Sequence, residues 1–232
     1  MIMWDQFVSD LYLNFVKDDR WHYLTRGLRT TLIVTLFAAL LGVILGFLVA
    51  IIRNAHENTG KLRFLNGLCN LYLTVIRGTP AVVQLMIIYF VIFGSVRIDK
   101  TITAIIAFGI NSGAYQAEIF RSGISSIPRG QFEAGRSLGF SYRQTMVHII
   151  MPQALRVVVP TLCNEYITLL KETSVAGYIA LEDLTKGGDI IRSRTYSAFM
   201  PLIAVALIYL ILVLVLTRLV SLLERRLARG FR

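Results

Sequence analysis

The sequence predicts an all-α integral membrane protein, one domain over 1–232 with five transmembrane helices. Composition is the first observation: 55% of the 232 residues are hydrophobic, only 16% are charged, and the mean hydropathy is +0.63. Those values fall outside the range of ordinary soluble domains. Uncharged stretches of membrane length are the second, at 31–52 and 197–217. The first of these would run about 33 Å as a helix, enough to cross a bilayer. The third is the gathering of lysine and arginine at the ends of apolar stretches, as membrane topology produces.

Five spans follow in order, at about 30–52, 64–93, 101–120, 154–170 and 197–217. The second is too long for one straight crossing, and Arg77-Gly78-Thr79-Pro80 interrupts it. Pro80 removes a backbone donor and Gly78 loosens the helix, which predicts a kink or break there. The fourth is short and carries Pro160, Asn164 and Glu165. Trp21, His22 and Tyr23 form an aromatic cluster ahead of the first span, in keeping with an interfacial girdle. Asp5 and Asp10 interrupt the N-terminal stretch, unlike a cleaved signal. The basic 224–232 reads as a topological anchor beside anionic lipid.

Orientation is weakly encoded. With the N-terminus outside, thirteen lysines and arginines fall in inner segments and ten in outer ones. That bias alone is mild, and Arg26 and Arg29 oppose it.

Between the third and fourth spans lies a basic, glycine-punctuated segment, 121–153. Its backbone and its arginines require water or protein partners, so it lies outside hydrocarbon. Pro128 and Gly139 bracket a predicted short helix over 131–138. Two turns outside the membrane have little stability alone, so this helix needs a docking partner.

Polar residues within apolar spans are the candidate site. Asn111, Tyr115 and Glu118 share one helical face, and Gly109 and Gly113 permit close helix approach. Glu118 can pair with Arg121 one turn on; Asn111 and Tyr115 lie deeper and are candidates for lining a path. Asn164, Thr168 and Lys171 share a face of the fourth span, with Glu165 and Glu172 on the adjacent one. Glu165 is the deepest acid. It can hold an ammonium or guanidinium group, satisfy a neighbouring helix, or pair with Arg77. Arg77, at the helix break, can bind a carboxylate or form that same bridge.

Catalytic chemistry is not indicated, and the chain is expected not to be an enzyme. There is no Walker sequence and no Gly-x-Ser-x-Gly elbow. His22, His56 and His148 are scattered without zinc spacing, so no metal site is expected. Cys69 and Cys163 lie far apart in apolar stretches and read as small buried side chains.

The spacing Glu133-Ala134-Gly135, Gly139, Ile149-x-Met151-Pro152 resembles the EAA loop of ATP-binding-cassette importer permeases, with Gly135 for the third Ala and Met151 for Leu. Arg77-Gly-Thr-Pro80, Asn111-Ser-Gly-Ala-Tyr-x-Ala-Glu-Ile-x-Arg121, and Pro160-x-x-x-Asn164-Glu165 followed by Leu-Leu-Lys-(acid)-Thr-Ser174 look like the histidine, glutamate, glutamine, arginine and opine permeases. The resemblance runs from Arg77 to Ser174. It implies a type I importer fold in the cytoplasmic membrane, with the loop and C-terminus cytoplasmic and the N-terminus outside. Two permease subunits, alike or related, would enclose a ten-helix path working by alternating access. The implied partners are two cassette ATPase subunits, which use the ATP, and an extracytoplasmic binding protein; this chain would bind no cofactor. The implied contacts on the ATPase are Glu133, Ala134, Gly135, Arg136 and Gly139. The implied substrate site lies at Asn164 and Glu165, with Thr168, Asn111, Tyr115 and Arg77 as further candidates.

Overall fold

A computed structural model describes residues 2–229, and among them all regular structure is helical. The last three residues of the expected basic anchor, 230–232, lie outside the described residues. An N-terminal helix, α1 (Ile2–Leu11), continues through a π-helical turn, Tyr12–Val16. Asp18 and Asp19, both at positive φ, then reverse the chain into α2, Trp21–Thr59. The predicted first span is therefore the middle of a 39-residue helix. It ends where Gly60, at φ +66°, returns its N–H to the His56 carbonyl.

The interrupted second span is two helices, α3 (Arg63–Arg77) and α4 (Ala81–Met86), the latter extended by a π-helical turn to Ile92. They meet at 108°, a full break rather than a kink. Pro80, with extended ψ, is the first residue of the new direction and has no N–H to continue the old one.

Asp99 caps α5 (Lys100–Ser125), accepting from the Thr101 N–H. The Thr101 hydroxyl and then its N–H hold the Asp99 carboxyl below the usual carboxylate range. A short helix, α6 (Arg129–Ser137), follows Pro128. Next, α7 (Tyr142–Thr145) passes through a π-helical turn into α8 (Met151–Glu172). Asp183 caps α9 (Leu184–Thr195), and burial pushes its carboxyl up to about 6. The last helix is α10, Phe199–Arg229.

Three helical stretches are long and apolar enough to cross a membrane: Trp21–Thr59, Tyr142–Ile179 and Phe199–Leu227. The bent pair Arg63–Arg77 and Ala81–Ile92 passes together as a fourth. In α5, apolarity is diluted by Asn111, Ser112, Gln116 and Glu118, three of which are buried. This helix is the centre of the bundle, packed on α2, α3, α4 and α8.

Glycine makes the α2–α5 contact. A Cβ on Gly46 would stand 2.8 Å from the Ala117 nitrogen, and one on Gly113 would meet the Tyr72 hydroxyl at 2.9 Å and Leu45 at 3.0 Å. Val34 and Ala38 of α2, Leu85 and Ile88 of the α4 stretch, and Ala104, Ala107 and Phe108 of α5 form one buried cluster with Leu169 of α8. The N-terminal part of α2 meets the start of α9 as closely, with Gly27 against the Asp183 carbonyl and Thr31 accepting from the Leu184 N–H at 3.1 Å.

Gly46→Ala should lower the thermal unfolding midpoint of the detergent-solubilised protein, because overpacking at a backbone contact costs about 1–3 kcal/mol. Gly67→Ala, at a helical position with nothing within 4 Å, should leave the midpoint unchanged or raise it. Equal midpoints for the two variants would contradict this account of the interface.

Candidate functional site

Three polar arrangements interrupt the apolar bundle. The first closes the helix break. Gln84 of α4 is buried, and its Nε2 lies 2.8 Å from the Ile76 carbonyl and within 3.1 Å of the carbonyl and hydroxyl oxygens of Thr79. Its Oε1 accepts from Asn111 Nδ2 at 2.9 Å. Asn111 is only 3% exposed, so this residue, expected along a path, instead braces the break from α5. Tyr115, one turn on, is exposed and lies beneath the Arg77 guanidinium, 6.0 Å from ring centroid to carbon. The face carrying Asn111, Tyr115 and Glu118 therefore looks onto the broken segment.

Glu118 is the second arrangement. Arg53 of α2 donates to its Oε1 at 2.6 Å, Arg121 to its Oε2 at 2.9 Å, and Arg77 approaches Oε1 at 3.8 Å. The expected pairing with Arg121 is present, and two further cations come from other helices. Arg77 thus meets Glu118, not Glu165. The carboxylate is one-fifth exposed, and it ties α2, α3 and α5 at one level.

The third arrangement is on α8. Glu165 is half-buried and accepts from the Ser112 hydroxyl of α5 at 3.2 Å. Ser112 in turn accepts from Gln116 Nε2 at 2.9 Å. Asn164, Thr168 and Lys171 lie on an exposed face of α8 beside Glu165. So the structure brings Glu165 to Ser112, sets Asn164 and Thr168 next to it, and holds Asn111, Tyr115 and Arg77 one layer away around the break.

The segment 121–153 folds over one end of the bundle. In α6, Glu133, Ala134 and Arg136 are exposed, and the helix ends in a Schellman turn. There Gly139, at φ +80°, donates to the Arg136 carbonyl and Phe140 to that of Gly135, at 2.9 and 3.0 Å. Gly135 alone of this group is buried, because a Cβ there would stand 2.6 Å from Thr145 Cγ2. Its departure from alanine thus has a packing cause: Thr145 fills the space. The Ser141–Gln144 capping box starts α7 and fixes where the chain turns back. A cleft of about 450 Å³ separates α6 from the end of α2, with Glu57, Arg129, Glu133, Arg136 and Tyr142 among its walls.

The model of the binding-protein-dependent transport system inner membrane components matches residues 42–229. The chain belongs to that family. Among its relatives, the L-cystine transport system permease protein TcyB of Bacillus subtilis (strain 168) is 36% identical over 93% of this chain and 91% of that protein. The arginine transport system permease protein ArtQ of the same organism is 36% identical over 88% and 92%. A solved amino acid ABC transporter with histidines superposes with a TM-score of 0.83 at 38% identity, covering 91% of this chain and 98% of that one. The inward-facing MetNI methionine transporter shares the fold at a TM-score of 0.74.

Membership makes the chain a transport component, and the matched region includes α5, α6 and α8. Residue types alone did not single out Gln84, Ser112, Gln116 or Arg53. Their signal was available only as polar residues at helical spacing within apolar spans, without an indication of which helix they would face.

Glu118→Gln should leave three arginines around an uncharged amide. Losing the shared acid of a partly buried cluster costs on the order of 1–3 kcal/mol after discounting for the exposure of Arg77 and Arg121. The melting temperature of the purified protein should fall, and Arg53→Met added to Glu118→Gln should recover part of the loss. No drop with Glu118→Gln would remove the cluster from the account of stability.

Proposed function

We propose that this chain is the permease subunit of an importer that moves a polar amino acid across the cytoplasmic membrane by ATP-driven alternating access. The observation that carries the proposal is the exposed face of α8. Asn164, Thr168 and Lys171 project from a helix flanked by apolar stretches, with the half-buried Glu165 beside them. A carboxamide, a hydroxyl and a carboxylate at that depth are too costly to present to lipid, so they face an aqueous path. A second permease subunit, identical or related, closes that path.

In this reading there are five crossings: α2, the bent α3–α4 pair, α5, α8 and α10. The N-terminus is outside and the C-terminus cytoplasmic, which puts α6 on the cytoplasmic face. Here α6 is the coupling helix. Its exposed Glu133, Ala134 and Arg136 meet the cassette ATPase, Gly135 seats it on Thr145, and Gly139 turns the chain away. Two ATPase subunits supply ATP hydrolysis, and no cofactor is held by this chain. An extracytoplasmic binding protein delivers substrate on the side of α9.

Asn164, Glu165 and Thr168 form the substrate site, with Tyr115 and Arg77 toward the break and Asn111 bracing it. Relatives named for arginine and for L-cystine support an amino-acid cargo. Among the described residues Glu165 has one uncharged hydrogen-bond partner, whereas Arg77 is shared with Glu118 and Tyr115. That difference favours a substrate whose cationic group is read by Glu165.

ATP-driven uptake of single labelled amino acids into proteoliposomes, with the ATPase and binding protein present, tests the assignment. Arginine, lysine or histidine should accumulate, and Glu165→Gln should weaken their apparent affinity about tenfold or more, the scale of a charge-assisted hydrogen bond. Accumulation restricted to glutamate, aspartate or glutamine would move the site to Arg77 and Lys171.

The coupling helix has its own test. Gly139→Arg meets no clash, since nothing lies within 4 Å, but it forces a charged L-residue into a left-handed turn at the docking surface. The variant should reach the membrane intact and lose ATP-driven uptake. Gly139→Asn, whose side chain tolerates that conformation, should keep it. Normal uptake by the arginine variant would overturn the docking role.

A further inference from the structure

Glu165 is not held by its own helix. Its one described hydrogen bond comes from Ser112 Oγ on α5, a residue with no exposed surface. Ser112 is held in turn by Gln116, one turn along α5 and 2% exposed. Gln116 Nε2 also reaches the Ala39 carbonyl of α2 at 3.3 Å. These bonds have a fixed direction. The atom facing the Ala39 carbonyl must be a donor, so the amide nitrogen points that way and carries both contacts. The Ser112 oxygen accepts from it, which leaves the hydroxyl hydrogen for Glu165. The chain is polarised from the α2 backbone to the carboxylate.

Two details show how far the packing accommodates this arrangement. Gln116 Oε1 is buried without a partner among the described residues, a situation that buried amides ordinarily avoid. On α2, a Cβ at Gly42 would stand 2.6 Å from Gln116 Nε2. Any side chain at position 42 would displace the amide from its carbonyl. The helix crossing therefore forms a slot for the Gln116 side chain, and that slot orients its amide at the expense of its own oxygen.

We propose that Ser112 and Gln116 are positioning residues for Glu165, holding one carboxylate oxygen through a donor chain rooted in α2 and leaving the other for the cationic group of the substrate. A hydroxyl donor favours the carboxylate as acceptor and fixes its rotamer. The site then meets an ammonium or guanidinium group with a preset oxygen rather than a mobile side chain, which is how preorganisation raises affinity. Because the chain starts on α2 and ends on α8, the orientation of Glu165 also follows the packing of those helices. The inference rests on the reading of Glu165 as the substrate-facing acid.

The test is a double-mutant cycle on the reconstituted importer, reading the half-saturating concentration and maximal rate of ATP-driven arginine uptake. Ser112→Ala should raise the half-saturating concentration about tenfold and change the maximal rate by less than about twofold, since it alters binding more than turnover. In a Glu165→Gln background the same substitution should add nothing, because the acceptor it served has already changed. Gly42→Ala, which displaces Gln116 without touching the site, should shift half-saturation in the same direction. If Ser112→Ala does not assemble, Ser112→Cys, a weaker donor in the same place, carries the comparison with a smaller shift.

An equal Ser112→Ala effect in both backgrounds would overturn the positioning role, as would no effect in a protein that Glu165→Gln does weaken. An unchanged half-saturation for Glu165→Gln itself would instead overturn the reading of Glu165, and this inference with it.

Discussion

The close crossing of α2 and α5 is the constraint on which the rest depends. Gly42 and Gly46 on one helix and Gly109 and Gly113 on the other let the backbones approach until a single methyl would collide. In lipid, where apolar side chains gain little by leaving their surroundings, this close packing and the hydrogen bonds it permits hold helices together. The crossing has electrostatic consequences at both levels it spans. It brings Arg53 to Glu118, and it brings the Ala39 carbonyl within reach of Gln116. A bundle held at ordinary side-chain distance would leave Glu118 with Arg121 and Gln116 with Ser112 on α5, but without their contacts on α2.

Polar residues in the bundle fall into two kinds according to what satisfies them. Gln84 spends its amide hydrogens on the Ile76 and Thr79 carbonyls at the break, and Asn111 donates to the Gln84 amide oxygen. The break is thus a fixed joint, since the buried Gln84 amide holds backbone carbonyls that water would otherwise take and Asn111 holds Gln84. Glu118 is saturated by arginines from three helices. Glu165, by contrast, has one neutral donor behind it among the described residues and the exposed Asn164 and Thr168 beside it. The same residue types serve as joint, tie and candidate site, and the number of partners separates them.

The surface helix α6 follows the same logic outside the bundle. Its exposed residues carry charge, while its seat is a glycine against a threonine and its end a glycine at positive φ. Two glycines with different duties stand four residues apart. Gly135 is needed because space is missing, and Gly139 because the backbone turns left-handed where space is plentiful.

Much of this was legible in the chain itself, because local rules determined it. Apolar length marked α2 and α10, Pro80 and Gly78 marked the break, and Pro128 and Gly139 marked the limits of α6 within two residues. The pairing of Glu118 with Arg121 was readable because the partners lie on one helix at fixed spacing. Partners across helices were not. Asn111 had the composition of a path-lining residue, and only its contact with Gln84, 27 residues away, shows that it braces the joint. By sequence Arg77 can bind a substrate carboxylate or pair with Glu165, whereas in the fold it approaches Glu118 at 3.8 Å. Sequence by itself determined the membrane class, the break at Pro80 and the residues able to carry charge, since these depend on local hydropathy and backbone chemistry. Which charges meet, and which donor reaches Glu165, depended on the rotation and close approach of helices distant in sequence, which only the tertiary structure fixes.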